Sequence, residues 1–175
     1  MVPLYDYTKY PVNFNQIVHT ILVEEGILSN DKTDPGGLTK WGIASASFPQ
    51  VKNPSFSIED AVQIYYLHFY VATYCNKLDY SWALPVFNAA VQHGVSQAIK
   101  FLQITIGVVA DGNFGPKSAA ALAKTEQNIE GLVEFFAQEA AFYENILYFN
   151  PDEYHTMIHG WRRRQFKIAM LSQEV

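Results

Sequence analysis

The chain has 175 residues, 49% of them hydrophobic, enough to bury one sizeable core without disulfide staples, and a single domain is expected. Seventeen acidic residues against twelve Lys and Arg give a net charge of −5, which argues against nucleic acid as partner because phosphate binding rests on clustered cations. No unbroken apolar run reaches the roughly 20 residues of a spanning helix, so stable membrane insertion is not expected. MVPLYDYTKYPVNF lacks the basic start, apolar run and cleavage site of a secretory leader, so synthesis and retention in a cytoplasm are expected.

Residues 1–12, with two prolines and scattered tyrosines, read as an extended lead-in. Asn13 or Asn15 is expected to cap a first helix whose apolar positions Ile17, Val18, Ile21 and Leu22 recur at helical spacing, and Gly26 should end it. The stretch SNDKTDPGGLTKWG, residues 29–42, is dense in turn formers and predicts a tight loop or small hairpin. Ser57, with Asp60 three positions on, should cap a second helix reaching about Tyr74. The lone cysteine, Cys75, lies in an aromatic stretch and is read as a buried, inert thiol rather than a nucleophile.

After Pro85 the segment VFNAAVQHGVSQAIKFLQITIG has the pattern of buried helices, broken near Gly94 and closed at Gly107. ADGNFGP forms a loop that leads Pro116 into a first helical turn, and helices at 116–124, 126–148 and 151–172 complete the chain. The predicted fold class is mainly α, with one polar, Gly-rich excursion after the first helix.

That excursion is where chemistry is expected. Glu24 and Glu25 close the first helix, where unsatisfied carbonyls disfavour a carboxylate. Partial burial there would raise the pKa of Glu25 further, as a general acid requires. Asp34 follows nine positions later and Thr39 five after that. Glycosidic cleavage uses two carboxylates: one donates a proton to the leaving oxygen, the other activates water or stabilises the oxocarbenium-like state. The alternative is that Asp34, in Asp-Pro-Gly-Gly, simply bonds its own turn.

The stretch EEGILSNDKTDPGGLTKWGI resembles the signature of the glycoside hydrolase 108 muramidases, with Glu25, Gly26, Asp34, Pro35, Gly36, Gly37, Thr39, Gly42 and Ile43 in register. The Glu, eight residues, Asp, then Thr order is also similar to that of phage-type lysozymes. The resemblance implies a lysozyme-like fold with Glu25 as general acid, Asp34 positioning water or stabilising positive charge, and Thr39 orienting the water. It extends over roughly residues 13–167 through IYYLHFY and LPVFNAAVQHGVSQAIKFLQ, while DGNFGPKSAAAL and GWRRR resemble a peptidoglycan-binding region. One lysozyme-like domain is thereby implied, with residues 1–90 carrying the catalytic motifs and 91–175 packed on them.

Departures from the family pattern fall on aromatic and polar positions that could contact substrate. Ile27 and Leu28 replace Gly-Tyr, Phe69 and Tyr70 stand for Tyr-Trp, Asn88 replaces an Asp, and Gln92 and His93 replace Asn-Ser. Trp41, Tyr70 and Trp82 are candidate sugar platforms, with core packing as the alternative. Gln92, His93 and, through the second likeness, Asp111 complete the candidate substrate contacts, a plain turn being the alternative for Asp111.

His155 and His159 are four apart but lack the glutamate of zinc proteases and a third ligand, and there is no Gly-x-Ser-x-Gly elbow. Arg162, Arg163, Arg164 and Lys167 read as a solvated or internally paired face. The implied activity is hydrolysis of the β-1,4 bond between N-acetylmuramic acid and N-acetylglucosamine, with peptidoglycan as partner, no cofactor or metal, and a monomer. Synthesis in a host cytoplasm with later release onto the wall would fit a phage endolysin. Its rivals are a lytic transglycosylase and an inactive wall-binding or virion structural protein.

Overall fold

The computed structural model describes residues 5–24 and 38–174. The chain divides into two compact units, Met1–Val71 and Ala72–Val175.

In the first unit the lead-in is not extended throughout. A 3-10 turn spans Tyr7–Lys9, with the Asp6 carboxylate accepting from the Thr8 N–H. Helix α1, Val12–Glu24, follows Pro11 directly. Phe14, Ile17, Val18, Ile21 and Leu22 are all buried at i, i+3, i+4, i+7 and i+8, one apolar stripe. Asn15 is not the cap anticipated. It lies inside α1, where its amide donates to the carbonyls of Tyr7 and Tyr10 at 2.9 and 3.1 Å and its oxygen accepts from the Tyr5 hydroxyl at 3.1 Å. The asparagine thus fastens the lead-in onto the helix.

Strands β1, Thr39–Lys40, and β2, Ile43–Ala44, form an antiparallel hairpin in which Thr39 faces Ala44 and Lys40 faces Ile43. Helix α2, Ile58–Ile64, opens on a complete capping box: the Asp60 N–H donates to the Ser57 hydroxyl, and the Ser57 N–H donates back to the Asp60 carboxylate. The helix does not continue as α to Tyr74. From Tyr65 to Val71 it is wound as a π-helix, and Tyr74 adopts the left-handed conformation, φ 59°. The wider winding explains why Tyr65 and Tyr70, five apart, are both buried. Tyr66 and Tyr70 of this segment pack edge-on against Phe14 with centroids 5.0 and 5.2 Å away, and Tyr10 closes the cluster 5.0 Å from Tyr66.

The second unit is helical. Helix α3, Tyr80–His93, carries Pro85 in its interior instead of starting after it, so the Ser81 carbonyl forgoes its i+4 amide. Gly94 separates α3 from α4, Val95–Thr105. Helices α5, Pro116–Leu122, and α6, Ile129–Phe149, follow. The last anticipated helix is two: α7, Pro151–Tyr154, and α8, Ile158–Leu171. Helix α3 packs on α4 and α8, and α6 on α4 and α8, around buried Trp82, Phe87, Leu102, Phe135 and Ile168. Trp82 is 1% exposed and donates its indole N–H to the Asn128 carbonyl at 3.1 Å. It is a core residue. Of the basic cluster, Arg162 pairs with Glu144, and Arg164 donates to the Asn88 side chain at 2.8 Å. No helix among the described residues is long and apolar enough to cross a membrane.

Candidate active site

Glu25 and Asp34 lie outside the described residues. Thr39 lies on β1, half-buried, and the geometry of its hairpin follows from the turn that closes it. Trp41 and Gly42 both have positive φ, 56° and 77°, the signature of a two-residue turn whose twist matches the strands. Glycine adopts this conformation freely. A bulky residue does not, so Trp41 is held there against its own preference. Two bonds over-determine it: the Tyr65 hydroxyl donates to the Trp41 carbonyl at 3.0 Å, and the Lys40 ammonium donates to the Asn53 carbonyl at 2.8 Å. Because successive strand residues face opposite sides, Lys40 shares one face with buried Ile43 and Thr39 shares the other with Ala44.

Tyr70 is in the same unit but only 2% exposed; its ring packs against Phe14 and Tyr66, which occupy the surfaces a sugar would stack on. In the second unit Gln92 and His93 take part in a buried polar junction. The Gln92 oxygen accepts from the Tyr143 hydroxyl at 3.2 Å. His93 Nε2 lies 3.1 Å from Glu139 Oε1, and the Gln165 amide donates to Glu139 Oε2 at 3.0 Å. Phe101, Phe142 and Tyr143 present their rings edge-on to the imidazole. Burial and the nearby Glu139 carboxylate push the Tyr143 phenol well above its ordinary range.

Asp111 is exposed on the α4–α5 loop, beside a hollow of about 780 Å³ that Val109, Asn113 and Lys117 also line. Its carboxylate accepts from the Gln103 amide and the Asn113 N–H, both at 2.8 Å, and these donors hold its pKa below the ordinary value. Gln103, 1% exposed, also donates to the Asn113 carbonyl and the Ser118 hydroxyl and accepts from the Gly112 N–H. Gly112 is required twice over: its φ is 77°, and a Cβ there would sit 2.2 Å from Ser96 Oγ. Cys75 is fully buried beside Thr73 and Ala83, and desolvation pushes its thiol up to about 12, far from a nucleophile's range.

The structure therefore brings Thr39, Trp41 and Tyr70 into one unit and Gln92, His93 and Asp111 into the other. Among the described residues no three His, Cys, Asp or Glu side chains gather as a metal site. Sequence reasoning missed a pocket of about 390 Å³ in the first unit, lined by Gln50, Asn53, Gln63, Leu67 and His68 among others. Its helix-borne positions Asp60, Gln63, Ile64, Leu67 and His68 recur at ordinary helical spacing; what the sequence does not disclose is the opposite wall, the 3-10 turn that supplies Gln50.

Residues 18–94 match the family model described as Glycosyl hydrolase 108. That span holds the hairpin and the pocket and leaves DGNFGPKSAAAL and GWRRR outside it. The structure of Brucella abortus SagA is similar, with a TM-score of 0.77 and 23% identity, covering 91% of this chain and 92% of that chain. With the helix–hairpin order above, this likeness shows a mainly helical, lysozyme-like fold. No curated protein matches the chain.

Proposed function

We propose that the chain is a peptidoglycan hydrolase of muramidase type, cleaving the β-1,4 bond between N-acetylmuramic acid and N-acetylglucosamine. Glu25 is the general acid, Asp34 positions water or stabilises the oxocarbenium-like state, and Thr39 orients the attacking water. The observation that carries this reading is the match of residues 18–94 to a glycosyl hydrolase family, since that span contains all three residues. The constrained hairpin adds support: a water-orienting hydroxyl must be held within a fraction of an ångström, and Thr39 is two positions from a turn that two hydrogen bonds restrain. In this reading the enzyme is made in a host cytoplasm and reaches the wall as a phage endolysin does, once the membrane is breached.

The test is digestion of purified peptidoglycan by the parent and by Glu25→Gln, with the products weighed by mass spectrometry. Loss of the proton donor should lower turnover by about 10²–10⁴-fold. Products carrying ordinary reducing ends are expected. Products lighter by one water would mean a transglycosylase, and a Glu25→Gln protein digesting walls at the parental rate would remove the mechanism altogether.

A further inference from the structure

We infer that the pocket of the Met1–Val71 unit binds a neutral N-acetylated hexosamine, so that it serves as a sugar subsite beside the hairpin that carries Thr39. The inference deepens the proposed activity and rests on it for the polymer that delivers the sugar. One wall is the 3-10 turn Pro49–Lys52 and the segment after it, which supply Gln50 and Asn53; the other is α2 and the π-helix, which supply Asp60, Gln63, Leu67 and His68.

The chemistry of the lining selects the ligand. A volume of about 390 Å³ lies at the small end of ligand sites, which run from about 300 to 1,000 Å³. Sugar hydroxyls both donate and accept, and carboxamides answer both needs from one side chain. Among the described residues, neither the Gln50 nor the Gln63 amide has a hydrogen-bond partner in the protein. Leu67, 49% exposed, offers an apolar surface for the acetamido methyl. Winding as a π-helix starts at Tyr65, immediately after Ile64, and the wall presents Gln63 and Ile64 together with Leu67 and His68. Departures of this kind from α geometry are frequent at functional sites.

Charge narrows the choice further. Among the described residues the lining contains the Asp60 carboxylate and no Lys or Arg. The Asp60 carboxylate disfavours an anionic lactyl group or stem peptide relative to a neutral N-acetylglucosamine. The Lys40 bond to the Asn53 carbonyl joins the pocket wall to the hairpin, so a sugar seated here is registered against Thr39.

The probe is tri-N-acetylchitotriose, titrated into the ¹⁵N-labelled protein and followed by NMR. Shifts are expected at the side-chain amides of Gln50 and Gln63 and at the backbone of Leu67 and His68. Gln63→Ala, at an exposed position, should keep the parental melting temperature, weaken chitotriose binding about tenfold, and raise KM on soluble glycan strands similarly with kcat nearly unchanged. Glu25→Gln should lose turnover and keep the pocket shifts; if it keeps turnover instead, the catalytic reading fails while the shifts still establish the subsite. Chitotriose shifts that avoid the pocket, an unchanged affinity in Gln63→Ala, or tighter binding of anionic muramyl dipeptide would each overturn the inference.

Discussion

The hydroxyl of Tyr65 donates to the carbonyl of Trp41 at 3.0 Å, joining the first residue of the π-helix to the strained residue of the hairpin turn across 24 positions of chain. Tyr65 is fully buried, so this bond has no competing water and the turn has little freedom to relax. Tyr65→Phe keeps the ring and removes the donor. It should cost about 1 kcal/mol in urea unfolding and lower glycan hydrolysis several-fold, since the turn is two residues from Thr39. Parental turnover in a measurably destabilised Tyr65→Phe protein would separate the hairpin from the chemistry.

Gln103 organises the α4–α5 loop. Gln103→Leu matches its bulk but strands the buried Gly112 N–H and Ser118 hydroxyl, at a cost of about 2 kcal/mol or more by chemical denaturation.

The Asp111 pKa is depressed first by the Gln103 amide and then by the Asn113 N–H. A carboxylate whose folded pKa is lowered contributes stability that is present above its unfolded value, near ~3.9, and is lost as pH falls through the folded value. Amide exchange in residues 111–115 should therefore accelerate below about pH 4 relative to the rest of the unit. Asp111→Asn should flatten that dependence, and an unaltered acid profile in this variant would show the loop to be held by Gln103 alone.

Glu139 is 1% exposed and joins α6 to His93 of α3 and Gln165 of α8. Glu139→Leu leaves the buried His93 without this partner and Gln165 with only the Phe136 carbonyl as acceptor, and should cost about 3 kcal/mol. Replacing His93 by Leu as well should cost less than the sum of the two single changes, because one variant has already broken the bond. A double-mutant cycle measured by denaturant unfolding reads the coupling directly.

The Cys75 thiol should be silent to a thiol reagent in the native protein and react stoichiometrically in guanidinium. Burial raises its pKa to about 12, against roughly 8.5 unfolded, so the unfolded chain releases this proton first. Stability should decline as pH rises from about 8.5 towards 12, and less steeply in Cys75→Ala. Rapid native labelling at neutral pH would contradict the buried position.

Local rules made much of this molecule legible in its residues. The stripe Phe14, Ile17, Val18, Ile21 and Leu22 specifies α1 because five apolar groups at helical spacing can be buried together in no other way. Ser57 and Asp60 start α2 because each satisfies the other's exposed N–H, and Thr39–Ala44 form a hairpin because Gly42 supplies the required φ. Spacing and likeness also single out Glu25, Asp34 and Thr39, which stand as the proposed catalytic residues.

Tertiary packing decided the rest, since it fixes which side of an element is buried. Pro85 ends up inside α3, whose residues from Trp82 to Ala90 are all buried, although proline alone reads as a helix start. Gln92 and His93 are engaged by Tyr143 and Glu139, some 46 to 51 positions away, partners that no local pattern discloses. Tyr70 reaches the core beside Tyr65, five positions away, because the segment that carries both is π-wound, and its ring packs there against Phe14 of another helix.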